Sequence, residues 1–283
     1  MYTITAENQS GQLLTLTEYR SAYQVTYTGL GPVAAEVVTS SLAMVDGEKK
    51  NSSRVGKRNV VLYVYINGNV EANRIRLYGW FSPKMTVKLH YKNGSRDVYT
   101  EGTVEAFEVN QFDAKQMAQI SIICPQPYLI GAEEIVKDVS GIESMFEFPF
   151  AIEAEGIPFS DLSGSDYAIL HNDGNVQTGF IATVYARADV VAPVIYNVIT
   201  NEAMRIKGTL EKGHILTVCT IDGNKRLTIT SPSGKTENAF SRKAPGSVWL
   251  KLISGDNYIS YAAESGADAM LVTLRHNNLF VGV

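Results

Sequence analysis

Cysteine and histidine are scarce. Cys124 and Cys219 lie far apart, and His90, His171, His214 and His276 stand singly, read as surface or strand-edge residues. No HxH or HExxH spacing occurs, which removes the usual clustered zinc site. Nothing points to an oxidising compartment, so the cysteines are read as reduced core residues. Long apolar runs are missing: none approaches the roughly 18 residues of a membrane-spanning helix. Met1-Tyr2-Thr3-Ile4-Thr5 alternates like a strand and lacks the basic-then-apolar layout of a signal peptide, so export is not expected. A large excess of charge of either sign is absent as well, with 25 Lys and Arg against 29 Asp and Glu. A net charge of -4 over 283 residues gives no global basic field for nucleic acid. Neither a G-x-S-x-G elbow nor a phosphate-binding G-x-x-x-x-G-K-[ST] occurs, and Pro32 after Gly29-Leu30-Gly31 spoils a dinucleotide fingerprint, leaving a turn.

What is present is a globular composition, 45% hydrophobic and 19% charged, long enough for two domains. β-Formers dominate, in short runs cut by Gly, Asn and Asp, such as Val60–Ile66 and Thr86–Tyr91. Asn93-Gly94 suggests a tight hairpin turn with positive φ at both residues. One helix is expected over about 69–81, with Asn69 as N-cap, Glu71 in the first turn and Pro83 as the stop. In Gln116–Cys124, period two places Ala118, Ile120, Ile122 and Cys124 on one strand face. Pro125 and Pro127 then end pairing.

After Tyr128 the character changes. Gly131–Ser144 is loose and acidic and reads as a connection. Beyond it, short strands alternate with turn signals at His171–Asn175, Ile221–Asn224, Ser231–Gly234 and Ser254–Asn257, the pattern of a β-sandwich. The expected organisation is mainly β: a domain over 1–130 with one helix and a β-hairpin arm, and a second, nearly all-β sandwich over 131–283.

Three features are candidates for function. Glu153 and Glu155 alternate on an expected strand, about 7 Å apart, compatible with a glycosidase acid/base pair but equally with any solvent face. Between Asp46 and Asn59, the cations Lys49, Lys50, Arg54, Lys57 and Arg58 sit among Gly and Ser, reading as an arm that is either simply solvated or reaches a neighbouring subunit. It has no interleaved aromatics for base stacking, so no nucleic-acid specificity is expected. Tyr185, Tyr196, Trp249, Tyr258 and Tyr261 offer either packing or a platform for sugar.

Several strings, taken together and in order, resemble the distal tail proteins of long-tailed siphophages. They are Leu77-Tyr78-Gly79-Trp80-Phe81-Ser82-Pro83-Lys84, the hairpin through Tyr91-Lys92-Asn93-Gly94, Glu101-Gly102-Thr103-Val104-Glu105, and Gln119–Tyr128 with its Cys124-Pro125-Gln126-Pro127-Tyr128 ending. In the second half the pieces are Ile157-Pro158-Phe159-Ser160, Asn172–Phe180, Ile195-Tyr196-Asn197-Val198, Gly255-Asp256-Asn257 and Asn277–Val283. The resemblance implies a non-enzymatic structural protein of the virion tail tip, made in the bacterial host cytoplasm and without cofactors. It implies an N-terminal sandwich-like domain that forms a homohexameric ring joining the tail tube protein to the tail-associated hub protein and baseplate. It also implies a galectin-like or carbohydrate-module-like C-terminal sandwich, which in some relatives engages receptor-binding proteins or host glycans. A glycan-binding module is the competing reading, and a glycosidase the third. A ring needs a heterologous interface that closes, and the basic arm at 46–59 is the expected contact.

Overall fold

The computed structural model describes residues 2–17, 22–111, 115–139 and 167–283. The chain divides into two compact units, Met1–Glu133 with Leu279–Val283, and Glu134–Asn278.

The first unit contains β1 (Thr3–Glu7), β2 (Leu13–Thr17), β3 (Tyr23–Thr28), β4 (Ala35–Ser41), β5 (Glu48–Val55), β6 (Arg58–Ile66), helix α1 (Val70–Phe81), β7 (Thr86–Lys92), β8 (Asp97–Val109), β9 (Met117–Cys124) and the start of β10 (Leu129–Asp138). Seven strands pair in the order β8-β7-β1-β2-β3-β6-β9. β8 then pairs with β9 as well, so the expected pair of layers closes into a barrel. β8 is long and bulged and takes three partners: one edge runs along β7, with Val98 facing Tyr91, while the other pairs with β10 at Val98 and Tyr99 and with β9 from Thr103 onward, the register shifting between Val104 and Ala106 before Phe107 faces Ile120. The period-two pattern turns Ile4, Leu16, Val25, Leu62, Val64, Ile120 and Ile122 inward, each essentially fully buried. Burial of one such side chain stabilises by about 1.5–3 kcal/mol.

α1 starts where the Asn69 side chain accepts the Ala72 N–H, and ends at extended Ser82. Its last turn buries Leu77, Trp80 and Phe81, at helical spacing, in the barrel core, while Ile75 stays 57% exposed. The β7–β8 turn differs from expectation, since neither Asn93 nor Gly94 takes positive φ. The Asn93 carboxamide oxygen instead accepts the N–H groups of Ser95 and Arg96, building a four-residue loop from a side chain. The acidic stretch after Gly131 is strand through Asp138 rather than a connection. The last five residues belong to the first unit, not the second, because Phe280 fills its core.

The second unit contains β11 (Ala168–Asn172), β12 (Ile181–Ala186), β13 (Val190–Val191), β14 (Val194–Asn197), β15 (Glu202–Arg205), β16 (Thr209–Leu210), β17 (Ile215–Cys219), β18 (Arg226–Thr230), β19 (Thr236–Asn238), β20 (Gly255–Ala262) and β21 (Met270–Phe280), the last running on into the first unit. One sheet runs β19-β18-β17-β12-β21 and another β11-β20-β14-β15. Leu170, Ile195 and Ile259 of the second meet Val184, Leu216 and Leu274 of the first in one core, a β-sandwich. Three buried asparagines organise its turns. Asn172 accepts the Gly174 N–H, Asn197 the Ile199 N–H, and Asn257 both accepts from and donates to the backbone of Ile253. Each sits in one of the second-half strings that resemble the distal tail proteins. Such positions tolerate few replacements, because a buried backbone group without its partner costs about 1–3 kcal/mol.

Candidate interaction surface

β4 and β5 pair with each other and with no other described strand. They form an antiparallel ribbon in which Ala35 faces Val55 and Ser41 faces Glu48. Every residue of β4 is exposed, and all of β5 except Val55. The arm therefore spans 35–55, and the sequence reading at 46–59 covered only its turn, return strand and root. The register shifts between Val38 and Thr39, leaving Asn51 as the extra residue, with its side-chain oxygen accepting from Ser40.

Sequence reasoning recognised the arm by its cations and missed its apolar residues. Val37, Val38, Leu42, Met44 and Val45 are each more than half exposed, and Met44 is completely so, at a left-handed φ of 64°. The strings Val37-Val38 and Leu42-Ala43-Met44-Val45 are the signal that was available. Exposed apolar residues on a ribbon with two open edges are a liability in an isolated monomer and a ready interface in an assembly. Of the cations, Lys49, Lys50, Arg54 and Lys57 are exposed, and Arg54 pairs with Glu36 on the opposite strand at 2.7 Å.

Arg58 must be taken off the arm. It is 1% exposed, the first residue of β6, with its guanidinium buried at the arm's root. Nε donates to the Pro127 carbonyl at 2.8 Å, Nη1 to those of Gly29 and Gly31 at 2.5 and 2.7 Å, and Nη2 to that of Val281 at 2.9 Å. Burial pushes its pKa below the usual arginine value, and nearby Cys124 acts the other way.

The aromatic candidates do not converge. Tyr196 (β14) and Tyr258 (β20) share the outer face of the four-stranded sheet, since their strands pair with Tyr196 opposite Ser260. Tyr167 meets Tyr258 edge-on with ring centroids 4.9 Å apart, and Ile169, opposite Tyr258, is 47% exposed. On the same face, His171 Nδ1 lies 2.6 Å from Asp256, and Nε2 lies 3.1 Å from Asp173. Tyr185 sits on the other sheet, 40% exposed. Trp249 packs against the core with its ring 5.6 Å from Phe240, and Tyr261 also packs inward.

His276 corrects the reading of histidines as surface residues: it follows Met270, Val272 and Leu274 on the inward face of β21 and is buried, which lowers its pKa. In the first unit, Glu7 lies 2.7 Å from His90, and their hydrogen bond, opposed by partial burial, holds its carboxyl below the usual range. Both cysteines are free and buried. Glu153 and Glu155 lie outside the described residues. Among the described residues no group of His, Cys, Asp and Glu is placed to hold a metal. The cavity between Ile4, Leu30, Leu62, Leu89 and Leu129 measures about 10 Å³, room for one water at most. No described helix is long and apolar enough to cross a membrane.

No protein-family model matches the sequence, and no curated protein matches it either. Solved structures do. The Dit (gp 19.1) protein of phage SPP1, described as a paradigm of the hub adsorption apparatus in phages infecting Gram-positive bacteria, superposes with a TM-score of 0.66 at 14% identity over 99% of both chains. The baseplate of phage P2 in its activated conformation, with calcium or with strontium, gives 0.51 and 0.52 at 10% identity over 98% of both chains. At these identities the likeness is one of fold, and it covers both units: the chain has the fold of the phage distal tail and baseplate proteins.

Proposed function

We propose that this chain is a structural, non-enzymatic protein of a phage tail tip, and that copies of it join through the arm into a hexameric ring between the tail tube protein and the tail-associated hub protein. The observation that carries the assembly reading is the arm. It is a ribbon with two open edges, an apolar tip and unpaired cations, standing on a closed barrel that offers few edges of its own. A neighbouring copy satisfies the open backbone groups and covers Val37, Leu42, Met44 and Val45. The ring follows from a heterologous contact that closes on itself. Likeness to phage Dit and baseplate proteins over nearly the full length of both chains supports the tail-tip location.

Light scattering and negative-stain imaging of the purified protein, alone and with its tube protein, test this reading. Six-membered rings are the expected result. A monomer under both conditions overturns it.

A second reading rests on the outer face of the four-stranded sheet, which carries the Tyr167–Tyr258 ring pair and the His171–Asp256 pair, with Tyr196 further along the same face. Aromatic faces beside carboxylates suit a saccharide, so this unit could attach the particle to host-surface glycan. Glycan-array binding that is lost in Tyr258→Ala supports it, and a blank array removes it.

A further inference from the structure

We propose that Arg58 is the positioning residue of the arm: it latches the arm's root to segment Leu279–Val283, so that the arm is held in place only when that segment is seated on the first unit.

The geometry is specific. The chain enters the arm through Leu30–Gly31 and leaves it through Gly56–Arg58. Arg58 binds the entering leg through the carbonyls of Gly29 and Gly31, and belongs itself to the leaving leg. Its remaining contacts are the Pro127 carbonyl and the Val281 carbonyl, the latter 223 residues away in the chain. Among the described residues no carboxylate lies within ion-pair distance, so carbonyl oxygens alone compensate a buried guanidinium. A buried charge is tolerated only while its hydrogen bonds are complete.

Segment 279–283 also covers the entering leg directly. The Val283 N–H donates to the Leu30 carbonyl at 3.1 Å. Gly282 passes so close that a Cβ there would lie 3.1 Å from Gly31 and from the Leu30 carbonyl oxygen. Phe280 is 7% exposed, with the Arg96 guanidinium 4.2 Å from its ring centroid. Gly29 allows the turn that brings its own carbonyl to Arg58: φ is +85°, and a Cβ would meet the Asn59 carbonyl oxygen at 1.9 Å. Lifting the segment away removes one acceptor from Arg58 and the cover from Leu30 and Gly31 at once.

Hydrogen exchange by mass spectrometry on the full chain tests this with two variants, Arg58→Met, which removes the donors, and Gly282→Val, which leaves Arg58 intact but unseats the segment. Both are expected to speed exchange roughly tenfold in peptides covering 29–34, 56–60 and the arm, while β7 and β9 stay as protected as in the wild type. Unchanged exchange at the root in both variants overturns the latch, as does equal loosening of β7 and β9, the mark of a merely structural arginine. Only the consequence for assembly rests on the proposed ring. A loosened arm with rings of undiminished stability sinks the arm's role in the ring and leaves the latch standing.

Discussion

Arg54 Nε donates to Glu36 Oε2 at 2.7 Å across the two strands of the arm, with both side chains more than half exposed. A pair so well solvated contributes at most about 1 kcal/mol to stability. Its effect is to engage Arg54 within the arm, leaving Lys49, Lys50 and Lys57 to face a partner. The triple change of those lysines to Ser is expected to weaken assembly at low salt and much less at about 1 M salt, where charges are screened within about 3 Å. Arg54→Ser is expected to be the milder change. Sedimentation across a salt series checks both, and a salt-independent loss would contradict the electrostatic account.

The apolar tip gives a separable prediction. Leu42→Ser, Met44→Ser and Val45→Ser should each leave monomer stability within about 0.5 kcal/mol, because these side chains contact little in the isolated chain. Together they should weaken self-association roughly tenfold or more if the tip is buried by a neighbour. Thermal denaturation reads the first quantity and mass photometry the second. Undiminished association would remove the tip from the interface.

His171 makes the second unit sensitive to pH. The hydrogen bond with Asp256, opposed by desolvation and helped by Asp173, raises its pKa above the ordinary 6.5. A raised folded-state pKa means that the charged histidine stabilises the fold fully below pH 6.5, and that this contribution fades as pH rises through the higher, folded value. The NMR titration of its ring protons should shift to lower pH in Asp256→Asn. An unmoved midpoint would break the assignment.

Glycines of different kinds should respond differently. A Cβ at Gly102 would lie 2.7 Å from Cys124 Sγ, Ile122 Cγ2 and the Ile123 carbonyl oxygen, so Gly102→Ala should cost about 2–4 kcal/mol. Gly94 has open space around it and no positive φ, so Gly94→Ala should fall within about 0.5 kcal/mol of wild type. Urea denaturation of both distinguishes the Asn93-built loop from a tight turn needing glycine, which would make Gly94→Ala costly.

Local pattern made much of this molecule legible. The helix over Val70–Phe81 announced itself by Asn69, Glu71 and Pro83, and the inward face of β9 by its period of two. The arm was legible by composition but not by extent. Its first strand, Ala35–Ser41, alternates nothing and buries nothing, so hydrophobic periodicity had no signal to offer. Arg58 looked like one more cation in a basic stretch. Only the meeting of Gly29, Gly31, Pro127 and Val281 around it makes it a core residue.

By itself the sequence determined a mainly β chain with one helix and the places of many turns, because these depend on neighbours a few residues apart. Tertiary structure alone decided the closure of the first unit into a barrel, the return of Leu279–Val283 to it, and the separation of Tyr185 and Trp249 from Tyr196 and Tyr258. Each depends on contacts between residues dozens to hundreds apart, set by which strand edges pair and which buried polar groups find partners. Those long-range satisfactions leave no periodic trace in a single sequence.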